Sequence, residues 1–376
     1  MDLIFVIILL ILSIMLITLL FNSIFGPFLS KKIKLSSIPK VSLLIPARNE
    51  EQNITNCLVH LINQDYQNTE IIVLDDASND RTVEFVQKMQ RQYPKIKLLQ
   101  GRSLPDGWTG KNWACHQLSK VASGEILVFI DADTVHSPIA VDRTLGWMQK
   151  YNLGMLSTFP QQKTMSFIEK LIVPIIDLFV YGMLPLWATY YIKSSAFAAA
   201  NGQWIAFRKD AYQKIGGHDS VKGEIVEDVK LNRLAKQHSI KTLTTAGTNT
   251  IFCRMYHSPL EVWHGFSKNF YGLTGNSTFV LLIFELILLF CCVLPFIFIV
   301  TNYNSMIILI IVLLNLVIRG IMSIQYKHPF LVGVFLHPVS ILLASIIGLN
   351  SFYQYNWGNF HWKDRIIQIR NITIAV

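Results

Sequence analysis

Residues 125–133 read EILVFIDAD. Five consecutive apolar residues, Ile126 to Ile130, run into two carboxylates, Asp131 and Asp133. A short apolar run of this kind predicts a strand buried on both faces. Outward from it, VSLLIP (41–46), EIIVLDD (70–76) and IKLLQG (96–101) read the same way. Between them, 49–62, 82–89 and 113–121 have helical spacing, with Ile54, Leu58, Leu61 and Ile62 on one side of the first. Strands alternating with helices predict an α/β fold, a mostly parallel sheet flanked by helices. Such sheets bind ligands outside the carboxyl ends of their strands. The polar motifs fall there: PARNE after the first strand, DDAS after the second, DAD after the fourth. Neither G-x-G-x-x-G nor G-x-x-x-x-G-K-[ST] occurs, so dinucleotide and P-loop readings lose their main support.

The ends of the chain differ from this centre. Of 376 residues, 52% are hydrophobic and 15% charged, with mean hydropathy +0.39. Ordinary globular domains carry about 25% charged residues, which argues against a fully soluble enzyme. The net charge of +9 sits beside the apolar segments: +3 in 1–40, +2 in 41–252 and +4 in 253–376. That placement suits an anionic cytoplasmic membrane surface rather than nucleic acid. Residues 3–30 lack charge and are followed by Lys31, Lys32 and Lys34, which predicts an uncleaved transmembrane anchor with that end in the cytoplasm. Further spans are expected over 279–300, 306–322 and 332–353, and a basic tail over 356–376 carries Lys363, Arg365 and Arg370. The expected organisation is an anchor (1–30), a cytoplasmic α/β domain (31–274), C-terminal transmembrane helices (275–355) and that tail. Within the domain, 167–192 is expected as a helix lying in the membrane interface, with Trp187, Tyr190 and Tyr191 at headgroup level; a buried core helix is the other reading. The five cysteines form no C-x-x-C pair, which fits a reducing compartment.

Each acidic motif has two readings. Asp131 and Asp133, two residues apart at a strand end, suit Mg²⁺ or Mn²⁺ held jointly with a diphosphate; a solvated strand end or a helix cap explains them as well. Asp75 and Asp76 can accept from a base or ribose, while Asp80 suits a helix cap. Arg48 and Glu50 suit nucleotide contacts or a loop ion pair. Glu227 and Asp228 open a helix marked by Val229, Leu231 and Leu234. An ionised carboxylate there can act as general base, or simply favour the helix dipole.

Together, P-A-R-N-E, D-D-A-S-x-D, D-A-D and E-D in this order resemble the inverting family-2 glycosyltransferases of GT-A fold, over roughly residues 40–260. IPARNEE, Trp108–Lys111, HQ at 116–117, FRK at 207–209, GGH at 216–218 and CRMY at 253–256 are similar to the carotenoid-acid (diaponeurosporenoate) glycosyltransferases and their hopanoid-associated relatives. The resemblance implies transfer of one sugar from a UDP-sugar, such as UDP-glucose, to an apolar lipid acceptor at the bilayer. Other acceptors in view are a hopanoid, a polyprenyl phosphate or a glycerolipid; a non-catalytic sugar-nucleotide binder is the alternative from another class. It implies that Pro46, Ala47, Arg48 and Glu50 line the nucleotide pocket and that Asp75 and Asp76 contact uracil or ribose. Lys111 would reach the diphosphate, and Asp131 and Asp133 would hold ribose and the divalent cation. Asn201, Gly202 and Gln203 would lie near the sugar, with Asp228 as base and Glu227 beside it. The stretch EVWHGFSKNFYG (261–272) lacks the Arg-Trp pair of processive members, which favours single transfer. Lys268 would replace the missing arginine at the diphosphate, or is a plain surface lysine.

Overall fold

The computed structural model describes residues 2–301, 305–358, 360–362 and 365–367. The tail residues Lys363 and Arg370 and the loop residues 302–304 lie outside the described residues. Two compact units emerge: Gly26–Lys163 with Leu186–Arg254, and Met1–Phe25 with Thr164–Pro185 and Met255–Val376.

The first unit holds an eight-stranded mixed sheet: β1 (Val41–Ala47), β2 (Thr69–Asp75), β3 (Ile96–Gln100), β4 (Ile126–Ile130), β5 (Thr134–His136), β6 (Met155–Gln162), β7 (Trp204–Arg208) and β8 (Thr242–Cys253). Their order is β3-β2-β1-β4-β7-β6-β8-β5. The first four strands are parallel, as expected. The parallel run stops at β7, which pairs antiparallel with both β4 and β6. Successive strand residues alternate between two cores. Leu43, Ile45, Val73 and Val128 face one side, and Leu44, Ile72, Leu127 and Phe129 the other. That alternation explains why the strands read as unbroken apolar runs.

Helix Ile54–Ile62 begins later than the expected start at 49. Asn49 adopts φ 51°, so residues 49–53 turn before the helix can start. The single helix expected over 167–192 is three helices: Phe167–Ile172, Pro174–Met183 and Ala188–Tyr191. Pro174 brings no N–H, and Leu184, which precedes Pro185, is extended. Trp187 and Tyr190 pack on Trp147 and Tyr151. Lys236 Nζ fastens that turn by donating to the carbonyls of Thr189 and Ile192, both at 2.7 Å.

In the second unit, three helices among the described residues are long and apolar enough to cross a membrane: Leu3–Phe25, Thr278–Val300 and Met306–Gln325. The span expected over 332–353 is broken into Phe330–Phe335 and His337–Trp357. Pro338 ends the continuity, and Asn350, Gln354 and Asn356 leave the longer piece too polar to join the set.

Candidate active site

The sheet delivers Asp131 just past β4, and two helices bring the rest. Lys111 lies in the first turn of Gly110–Val121, whose Thr109 cap accepts from Asn112 N. Glu227 and Asp228 open helix Glu227–Gln237. Lys111 Nζ lies 2.9 Å from Asp131 Oδ1 and 3.1 Å from Glu227 Oε1. One amine therefore joins two carboxylates that lie 96 residues apart in sequence (227 − 131). Gly202 forms the wall of this cluster. A Cβ there would meet Lys111 Nζ at 2.8 Å, Glu227 Oε1 at 3.3 Å and Asp228 Oδ2 at 3.7 Å. Only a bare Cα lets the three groups close up so tightly.

Burial and charge set the protonation states. Burial alone would depress Lys111, but Asp131 and Glu227 together hold its amine well above the usual lysine value. Glu227 is likewise opposed by burial, yet Lys111 keeps it below the usual carboxylate value. Asp131 goes the other way: burial raises it against the pull of Lys111. Asp228 is pushed up to about 7, first by burial and then by the Glu227 charge, although Val229 N donates to its Oδ1 at 2.7 Å. Two adjacent carboxyls thus carry different protonation near neutrality, a pattern typical of acid–base sites.

Around this centre lie the loops after β1 and β2. Arg48 Nη1 donates to the carbonyls of Asp76 (2.7 Å) and Ala77 (3.1 Å). Asp76 N donates back to Ala47 O at 2.8 Å, so the two loops are tied into one rim. Glu50 Oε2 accepts from Asn53 Nδ2. Asp75 and Asp76 are both buried, and Asp75 accepts from Ser78 N. Asp80 accepts from Thr82 N and Glu51 N, but the N-cap of helix Thr82–Gln92 is Arg81, so Asp80 ties the loops rather than capping the helix as expected. Pro46, Lys111, Asp131, Gly202 and Glu227 line one small cleft. Gln203 stands behind it, donating to Cys253 Sγ at 2.8 Å. Lys268 belongs to helix Pro259–Leu273 in the second unit.

The geometry of DAD differs from the expected strand end. β4 stops at Ile130, and Thr134 N donates to Asp131 O, closing a turn over 131–134. Same-face placement by strand pleat therefore does not apply. Asp131 and Asp133 remain hard oxygen donors, but among the described residues no group of three His, Cys, Asp or Glu is arranged to hold a metal. That donor set suits a cation whose remaining oxygens come from a bound diphosphate.

Three residues at the site carry no role in the sequence reading, although two of them, His218 and Cys253, lie in the GGH and CRMY motifs. Cys115 and His218 line the cleft, and Cys253 borders Asp133. His218 is kept neutral by burial, its value pushed down to about 3, and Tyr212 OH lies 2.7 Å from its Nδ1. Gly217, at φ 55°, packs directly on the Tyr212 ring, which explains the double glycine of GGH.

Comparison with known proteins matches residues 42–172 to the glycosyl transferase family 2 model. Residues 42–172 form a glycosyl transferase family 2 domain. The glycosyl transferase domain holds every strand from β1 to β6, including the PARNE, DDAS, Lys111 and DAD elements of the cleft. The chain is 26% identical over 242 residues to 4,4'-diaponeurosporenoate glycosyltransferase of Staphylococcus haemolyticus (strain JCSC1435), covering 64% of this chain and 63% of that protein. It is 26% identical over 247 residues to the protein of the same name from Staphylococcus aureus (strain USA300), at 63% and 62% coverage. Less than two thirds of either relative's length is therefore matched. Among solved structures, a mannosyltransferase from Pyrobaculum calidifontis, in complex with GDP-Man and Mn²⁺, superposes with TM-score 0.56 at 14% identity, over 92% of this chain and 99% of that one. The fold is of the GT-A type.

Proposed function

We propose that the protein is a membrane-bound, inverting glycosyltransferase that moves one sugar from a UDP-sugar, UDP-glucose in the first instance, to an apolar lipid acceptor. Our preferred acceptor is a carotenoid acid such as diaponeurosporenoate. The observation that carries this reading is the Lys111–Asp131–Glu227 cluster against Gly202, with Asp228 raised to about 7 beside it. A fixed amine suits a departing diphosphate, and a carboxyl of that value suits work on an acceptor at neutral pH.

In this reading the nucleotide lies along Pro46, Ala47, Arg48 and Glu50, with Asp75 and Asp76 at base or ribose. Lys111 binds the diphosphate, and Gly202 and Gln203 flank the sugar. Asp131 and Asp133 would hold Mg²⁺ or Mn²⁺, which supplies positive charge for the leaving group when bound. The acceptor attacks the anomeric carbon opposite the diphosphate, so one displacement inverts it. A hydroxyl acceptor passes its proton to Asp228. A carboxylate acceptor is already ionised, and neutral Asp228 then orients it by donating a hydrogen bond. The apolar helices hold the enzyme at the bilayer where its acceptor dissolves, with the catalytic unit on the cytoplasmic side.

The test is Asp228→Ala. Loss of sugar transfer with labelled UDP-glucose and carotenoid acid, with donor binding retained, supports the reading. Turnover at the parent rate rejects it. Offering hopanoid, polyprenyl phosphate and glycerolipid in parallel identifies the acceptor.

A further inference from the structure

The second unit contains a buried polar centre that sugar transfer does not use. Up to its terminal Gln325, helix Met306–Gln325 is apolar except for Asn315, Arg319 and Ser323, which recur every four residues on one buried face. Arg319 is fully buried. Its Nε donates to Gly333 O at 2.9 Å, whereas Nη1 and Nη2 have no hydrogen-bond partner among the described residues. The unit's buried carboxylates give these two nitrogens no hydrogen bond. Asp177 Oδ2 meets His328 Nε2 at 2.7 Å, and Glu285 packs against Gly348. A buried guanidinium with both terminal nitrogens unpaired is costly, more so in a hydrocarbon setting, even with the Asp177 charge within electrostatic reach.

The surroundings are shaped for an anion. Gly333 lets two donors pack close to its Cα: a Cβ there would lie 3.0 Å from Ser323 Oγ and 3.4 Å from Arg319 Nη2. The chain breaks at Leu336 and restarts as the 21-residue helix His337–Trp357, whose first turn carries a partial positive charge. His337 reaches Asn315 Oδ1 at 3.3 Å through Nε2, while its Nδ1 and Ser323 Oγ are buried without partners among the described residues. A broken helix start aimed at an anion is a recurrent arrangement in membrane proteins. The free edge of the guanidinium offers two parallel donors, which match the paired oxygens of a carboxylate or phosphate. The outer faces of these helices expose Leu313, Val317, Ile324, Leu331 and Phe335, so a ligand arriving here comes from lipid.

We propose that Arg319, Ser323 and His337 form a binding site for the oxyanion of a membrane lipid, a phosphodiester or a carboxylate. The site shares only the membrane location with the proposed transferase function. The experiment uses the full chain extracted in mild detergent, with native mass spectrometry and thermal unfolding as readouts. Wild type should retain an anionic lipid, and Arg319→Gln should lose it. After delipidation, phosphatidylglycerol or a long-chain fatty acid should raise the wild-type Tm but not that of Arg319→Gln. Inorganic phosphate should leave both unchanged. If Arg319→Gln does not fold, Gly333→Ala keeps the charge, narrows the space and should weaken lipid retention. Equal retention in wild type and both variants, no lipid effect on wild type, or a full Tm shift from inorganic phosphate would overturn the site. Recovery of the chain without detergent would instead overturn the membrane location.

Discussion

Gly202→Ala isolates the geometry of the catalytic cluster from its chemistry, because it changes no titratable group. The new methyl would stand 2.8 Å from Lys111 Nζ. Ordinary contact begins at 3.4 Å, so the amine must retreat by about 0.6 Å, the difference of the two. The retreat disturbs ion pairs now at 2.9 and 3.1 Å. Lysine ends in a flexible chain, so the fold absorbs the move, and stability should change by less than about 1 kcal/mol. Catalysis is less forgiving: a misplacement of about 1 Å can cost about 10²-fold. Turnover should therefore fall about 10- to 100-fold, equivalent to about 1.4–2.7 kcal/mol of transition-state stabilisation. The assay is single-turnover transfer from labelled UDP-sugar, with Tm measured on the same preparation. Turnover within twofold of wild type would refute the assignment of Lys111 to the leaving diphosphate. A collapse of Tm matching the loss of activity would make Gly202 a packing residue only.

The pH profile tests Asp228 and separates acceptor classes. With a carboxylate acceptor the neutral form is the working one, so transfer should fall as pH rises through about 7. In that case Asp228→Asn should keep much of the activity. With a hydroxyl acceptor the limb reverses and Asp228→Asn is inactive. Glu227→Gln removes the charge that raises Asp228 and should move the limb to lower pH, whereas Lys111→Met should move it up. A limb unmoved by both changes excludes Asp228 as its source. Away from the site, Glu70 is buried opposite Ser42, with Ser42 Oγ at 2.6 Å, Ser123 N at 2.7 Å and Lys97 Nζ at 3.0 Å. Burial opposes its ionisation, but these donors prevail and hold its value down to about 2. A depressed carboxyl contributes stability at neutral pH that is lost only as pH falls toward that value. Glu70→Ala should cost about 1–3 kcal/mol in denaturant unfolding at pH 7, the penalty of orphaned buried donors. An unchanged unfolding midpoint would show that water replaces the carboxylate freely.

The division between what the sequence discloses and what it hides follows from where information about burial is stored. β1, β2 and β4 are apolar on both faces, and hydropathy alone finds them. β8, TLTTAGTNTIFC, is as buried as they are yet rich in threonine. Its hydroxyls are satisfied inside the fold: Thr245 by Thr158 at 2.8 Å, and Thr244 by the carbonyl of Ala199. A hydropathy reading prices those side chains as exposed and misses the strand. The reversal of β7 against β4 is hidden as well, and it brings Gly202 and Gln203, just before β7, beside Asp131. The acidic motifs are legible only together, because each alone has an ordinary strand-end, cap or ion-pair reading and their order along the domain is what sets them apart. Their partner is harder to read, since nothing local to Lys111 announces that it bridges Asp131 and Glu227. His218 and Cys115 are hidden for the opposite reason: one is neutral, the other apolar in character, and both look like core. The same logic explains Arg319. A lone arginine inside an apolar run reads as the end of a span, and only packing shows that its donors point inward. In both units, then, the informative residue is the cation whose partner lies far away in sequence. In the sheet unit the partners are carboxylates of the chain itself, and in the helical unit the proposed partner is a membrane lipid.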